Sequence, residues 1–217
     1  MDTPALEDSD LLRDERPGSI LPLAILFEGA LVLVAWVLSW LWGQSLWEQL
    51  TGATAAQYFR SILLGLLATL PLLAGLLVSR RLPGAAWRRL RQVVDDQLLP
   101  MFAGSSWWGL LLLSMAAGLG EELLFRAVLQ ESVAGWLGGE FGSWWALVMV
   151  SLLFGLCHWV TPAYGVFAAL VGAYLGLLYW SSGGLVAAIV AHAAYDFFAL
   201  MWLLRKVVPG GGQTRGL

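Results

Sequence analysis

The stretch GLGEELLFRAVLQ, residues 118–130, carries three charges at the end of a strongly apolar run: Glu121, Glu122 and Arg126. Two later apolar runs hold the only histidines of the chain, His158 in FGLCH and His192 in HAAYD, the second ending on Asp196. Charged side chains inside apolar segments are costly and usually face a bundle interior or a water-filled cavity, so these residues mark a candidate site.

Their spacing suggests a division of labour. Helix neighbours lie three and four residues apart, so Glu122 meets Arg126 in the favourable order for an ion pair, and His192 meets Asp196. Phe154 precedes His158 by one turn, which seats an aromatic ring beside an imidazole. Adjacent residues on a helix diverge by about 100°, so a Glu122–Arg126 pair turns Glu121 elsewhere and leaves it as the unpaired acid. An unpaired carboxyl in a poorly solvated site is suited to general acid or base work near neutrality. With the His158 imidazole it would hold a water and activate it for attack on an amide. His192 and Asp196 would then donate or orient hydrogen bonds at the developing oxyanion, Asp196 only if protonated or bonded to His192. The sum is a hydrolase.

Plainer roles stand beside these. Glu122 with Arg126 serves equally as a structural ion pair, His158 as an interhelical hydrogen bonder, Phe154 as core and Asp196 as an orienter of His192. Glu28, in the first apolar run, has no partner in view and is expected at the interface or packed against another helix. Other intramembrane chemistries fit less well. Neither histidine is followed by Glu, against an H-E-x-x-H zinc site, and a second membrane aspartate for a two-aspartate protease is missing. Ser114 and Ser151 lack a G-x-S-x-G context. Cys157 adjoins His158 and so points about 100° away from it, and as the single cysteine it excludes an internal disulfide.

The elements that must position these residues are membrane helices. The chain has 217 residues, of which 59% are hydrophobic and 12% charged, with 13 Trp and a mean hydropathy of +0.74, far too apolar for a soluble domain. The apolar runs are continuous and not alternating, which predicts helices rather than barrel strands. The fold class is therefore all-α, a polytopic transmembrane helix bundle with six to seven spans. Residues 1–18, with six acids and two arginines, read as a disordered acidic tail without a signal peptide's basic start. Residues 19–96 hold two transmembrane helices, near 20–42 and 58–79, and a loop in which Arg80, Arg81, Arg88, Arg89 and Arg91 outnumber Asp95 and Asp96. Such a loop is expected on the cytoplasmic side. Residues 97–206 hold the site: an uncharged span over 97–120, an amphipathic helix over 121–137, a break at GGEFGS, and spans near 143–160, 163–180 and 184–204. Residues 207–217 read as a flexible tail. The number of passes stays open. If 121–137 crosses, there are seven spans and Arg205 and Lys206 fall outside; if it lies in the interface there are six, and Glu121 and His158 fall toward opposite faces.

Three segments together, EELLFR (Glu121, Glu122, Arg126), FGLCH (Phe154, His158) and HAAYD (His192, Asp196), resemble the motifs E-E-x-x-x-R, F-x-x-x-H and H-x-x-x-Asn/Asp of the CPBP family. This is the family of CAAX prenyl endopeptidases and bacteriocin-processing or immunity proteins. The resemblance covers roughly residues 100–205 and implies an intramembrane endopeptidase of glutamic type. On that pattern Glu121 is the general base, His158 its partner on the water, and His192 and Asp196 the oxyanion stabilisers, with Glu122, Arg126 and Phe154 in support. No cofactor is expected. The alternative is zinc held by Glu121, His158 and His192. The expected partners are the lipid bilayer and a membrane-embedded or membrane-anchored protein or peptide substrate, with no nucleic acid, and the expected location is a bacterial plasma membrane. Two further functions compete: a non-catalytic immunity or scaffold protein using the cluster to bind its helices together, and a small transporter or proton relay.

Overall fold

Every long apolar run is helical, because backbone amides and carbonyls in lipid have to pair within the segment. The computed structural model describes residues 20–207; the expected tails over 1–18 and beyond 207 lie outside the described residues. In chain order the helices are α1 (Ile20–Leu41), α2 (Leu46–Thr51), α3 (Ala55–Ser79), α4 (Ala85–Val93), α5 (Trp107–Glu122), α6 (Glu131–Leu137), α7 (Gly139–Cys157), α8 (Pro162–Ser182) and α9 (Leu185–Val207). Among the described residues there is no strand.

Start signals are local. The Thr54 hydroxyl and the Gln57 side chain form a capping box at the head of α3. Ser106 caps α5 through the Gly109 amide, and Thr161 caps α8 with Pro162 in its first turn. The outer faces are as apolar as the inner ones, as lipid as solvent requires: Leu67 on α3 and Phe141 on α7 are 64% and 79% exposed.

Five helices are long and apolar enough to cross a membrane: α1, α3, the rod Trp107–Leu137, α8 and α9, and α7 adds a shorter apolar stretch, Phe141–Cys157. The protein is a multi-pass membrane bundle, and among the described residues α7 is the candidate for a sixth pass. The expected helices over 97–120 and 121–137 are corrected here. The chain over Val94–Leu98 and Leu99–Phe102 forms a π turn and a 3-10 turn, ended by Gly104 at φ 79°, so the span starts only at Trp107. From there α5 runs without interruption through a π-helical segment, Leu123–Gln130, into α6. The chain turns only at Gly138 and Gly139, both at φ 65°, a backbone region that favours glycine.

Side-chain packing fixes which ends lie together. A Cβ on Gly109, near the start of α5, would strike Leu21 at the start of α1, and the end of α9 borders the end of α3 and the start of α5. At the other end, Leu46 of α2 packs with Leu123, Val128 and Leu185, and Tyr179 of α8 donates to Gln49. The starts of α1 and α5 and the ends of α3 and α9 thus share one end of the bundle. That end also carries Arg80, Arg81, Arg88, Arg89, Arg91, Arg205 and Lys206. The parity conflict between Arg205, Lys206 and the basic loop disappears.

Candidate active site

The conflict over Glu121 and His158 disappears for a geometric reason. Glu121 lies about 21 Å along the rod from Trp107, whereas α7 is only about 28 Å long and starts immediately after the rod ends. The return helix therefore stops at the level of Glu121, and His158, in the turn that follows it, comes to 3.8 Å from Glu121 (Nε2 to Oε1).

Small residues let the other walls close in. A Cβ on Gly118 would meet Ala193 and the Ile189 carbonyl of α9, and one on Gly120 would strike the Glu28 carbonyl of α1. The two glycines before the glutamates thus draw α9 and α1 against α5 from different sides. His192 arrives on α9 and is buried. Its Nδ1 donates to Glu122 Oε1 at 2.8 Å, and its Nε2 lies 3.9 Å from Glu121 Oε2 and 3.5 Å from Asp196 Oδ2.

Glu122 and Arg126 form the expected pair, with Nε to Oε2 at 3.0 Å and both side chains fully buried. Glu122 spends its second oxygen on His192, so both of its oxygens are engaged. The Arg126 guanidinium lies 5.2 Å from the centre of the Phe154 ring, while Nη1 and Nη2 have no hydrogen-bond partner among the described residues. Phe154 is a hub: it stacks on His158 with ring centres 4.4 Å apart and presents its edge to His192 and Phe125.

Glu121 is different. It is buried, makes no hydrogen bond through Oε2 among the described residues, and faces a cavity of about 290 Å³ shared with His158, His192 and Asp196. His158 Nδ1 lies 2.9 Å from the Phe154 carbonyl. A carbonyl only accepts, so Nδ1 carries a proton, and in the neutral ring it is Nε2, the nitrogen facing Glu121, that is free to accept. A 3.8 Å separation is too long for a direct hydrogen bond and suits one bridging water. Such an arrangement can polarise a water between a carboxylate and an imidazole. Cys157, next in the chain, is exposed on the outer face.

Every site residue anticipated from the sequence, Glu121, Glu122, Arg126, Phe154, His158, His192 and Asp196, falls in this one cluster. Glu28 takes the second of its two expected places, packed against another helix, and lines the same cavity, as do Tyr164 and Tyr195. The charge of Glu28 within an apolar run was the available signal; its direction follows from the Gly120 contact, which no local pattern encodes. The cavity adjoins a second, largely apolar one of about 250 Å³, sharing Phe102, Tyr164, Phe167, Tyr195, Asp196 and Leu200 as walls and reaching Arg80 and Arg91 at the basic end. There Arg80 holds Asp95 through two hydrogen bonds of 2.8 and 2.7 Å. Among the described residues no group of three His, Cys, Asp or Glu side chains is gathered as a metal-holding set; Nε2 of His158 and of His192 lie 3.8 and 3.9 Å from the two Glu121 oxygens.

A multi-pass helical membrane protein with carboxylates and imidazoles gathered in a cavity inside the bundle is the class that this fold and site define. Residues 103–198 match the family model described as type II CAAX prenyl endopeptidase Rce1-like. Over that segment the chain is similar to this family of CAAX endopeptidases, and all three motifs lie within it. Neither a curated protein nor a solved structure gives a match.

Proposed function

We propose that this protein is an intramembrane endopeptidase that cuts membrane-associated proteins or peptides with a water activated by Glu121 and His158. The observation that carries the reading is the placing of the buried Glu121 carboxyl 3.8 Å from His158 Nε2, inside a cavity that adjoins an apolar chamber. In the reaction, Glu121 takes a proton from the water as its oxygen attacks the scissile carbonyl carbon. His192, oriented by Glu122 and accompanied by Asp196, stabilises the oxyanion. Glu121 returns the proton to the departing amine as the C–N bond breaks. Arg126 and Phe154 hold Glu122 and His158 in place. No cofactor takes part, and the substrate arrives by way of the bilayer, of CAAX or bacteriocin-precursor type, in a bacterial plasma membrane.

The test is cleavage in proteoliposomes of a fluorogenic prenylated CAAX peptide and a membrane-spanning leader peptide. Glu121→Ala and His158→Ala are expected to fold, judged by size-exclusion profile and melting, and to abolish cleavage. Retained cleavage in either variant overturns the mechanism. A wild-type chain that cleaves neither peptide, with alanine variants that merely melt earlier, favours the non-catalytic scaffold instead.

A further inference from the structure

Among the titratable groups lining the cavity, Glu28 alone comes from outside residues 103–198. It sits in α1, in the third turn of a helix otherwise free of charge. Around it stand Glu121 of α5, His158 after α7, Tyr164 of α8, and His192, Tyr195 and Asp196 of α9. Its backbone is pressed against α5 where Gly120 lacks a side chain, so the carboxyl is delivered next to Glu121 by a helix contact and not by chance rotation. The two carboxyls line the same cavity. Yet Oε2 of Glu28 and Oε2 of Glu121 are both buried with no donor among the described residues.

Two buried acceptors that share one cavity are satisfied together when one of them carries a hydrogen atom and donates it to the other, since a carboxylate has no donor of its own. We propose that Glu28 is a positioning residue for Glu121: the two carboxyls are tied by a single shared proton, which keeps Glu121 Oε1 turned toward His158 Nε2. Glu122 is held by Arg126 and His192, but Glu121 has no comparable partner within the CPBP segment. Without Glu28 its side chain is free to rotate away from His158, and misplacement of a catalytic group by about 1 Å is enough to cost on the order of a hundredfold in rate. The N-terminal helix thereby becomes part of the active site. Glu28 is not assigned a proton-transfer step.

This inference rests on the peptidase reading for its kinetic arm but not for its spectroscopic one. Full-length protein in proteoliposomes is assayed with the fluorogenic prenylated CAAX peptide, comparing Glu28→Met with Glu28→Gln. Glu28→Met removes the tie at similar length and is expected to lower kcat by about tenfold or more, with KM within about twofold. Glu28→Gln keeps an N–H donor toward Glu121 and recovers kcat to within about threefold of wild type. Equal losses in the two variants, or a loss in Glu28→Met that rises in KM alone, overturn the proposal. Independently of activity, infrared difference spectra in H₂O and D₂O are expected to show a protonated-carboxyl stretch in the wild-type protein that is lost in Glu28→Gln and altered in Glu121→Gln. A wild-type spectrum without that stretch refutes the shared proton even if no peptide is cleaved. If Glu28→Met does not fold, the spectrum of Glu28→Gln decides alone.

Discussion

Replacing Arg126 by Met tests whether the Glu122–Arg126 pair is the brace on which the cluster rests. Both side chains are fully buried, so no discount for solvent screening applies, and removing one partner of such a pair leaves an uncompensated buried charge, at a cost of about 3–5 kcal/mol. Two features set the value near the lower end. Glu122 keeps its 2.8 Å contact with His192 Nδ1, and Nη1 and Nη2 of Arg126 already lack hydrogen-bond partners among the described residues, so their loss forfeits little. Loss of the guanidinium over the Phe154 ring adds about 1 kcal/mol. The expected destabilisation is therefore about 4 kcal/mol, a fall in Tm on the order of 10 °C for a chain of this size, read by intrinsic tryptophan fluorescence in detergent micelles. Neutralising the stranded acid as well, in Glu122→Gln with Arg126→Met, is expected to recover about half of the loss, because it removes the unpaired charge. A single variant that melts within about 2 °C of wild type, or a double variant no more stable than Arg126→Met, refutes the brace.

Three further outcomes follow from the same geometry. Gly120→Val adds atoms against the backbone carbonyl of Glu28 and must push α1 off α5; it is expected to lower Tm by several degrees and to cut cleavage by more than tenfold, whereas Gly135→Val, at a position with open space around it, leaves both near wild type. Incubation with EDTA is expected to leave the cleavage rate unchanged, and a loss restored by added zinc overturns the metal-free reading. Cys157→Ser, on the outer face, is expected to retain cleavage, and a cysteine then placed at Arg88 is expected to react with an impermeant maleimide only after spheroplasts are opened; labelling of intact spheroplasts reverses the sidedness derived from the basic residues.

Residue types and helical spacing were enough to pick out the cluster, because within a membrane span a charge has few reasons to exist and four residues define a common face. The pairing of Glu122 with Arg126 and the separate direction of Glu121 follow from that periodicity alone. The pass count did not follow. GLGEELLFR reads as a boundary, since hydropathy drops where the charges begin, but the buried charges are neutralised inside the bundle and the rod continues through them. The π segment Leu123–Gln130 was not legible either, because its hydrogen-bond shift depends on packing. Glu28 was visible as a charge and invisible as a partner: its relation to Glu121 spans most of a hundred residues and is set by one missing Cβ.

The unequal lengths of the rod and α7 tie these observations to function. A hydrolase working on a membrane substrate needs its carboxylate shielded by protein while water and an apolar chain both have access. If α7 were as long as the rod, His158 would stand at the membrane surface and Glu121 would have no imidazole beside it. Because α7 ends early, His158 sits inside the bundle, and its cavity adjoins the apolar chamber bounded by the end of α3, α4, the turns that precede α5, the start of α8 and the second half of α9, which leads to Arg80 and Arg91. On the peptidase reading, water and the polar part of a peptide would approach from the basic end, and an apolar chain would lie along the chamber wall of Leu98, Leu99, Phe167 and Leu203. The same shortening that brings His158 to Glu121 also opens the way to them.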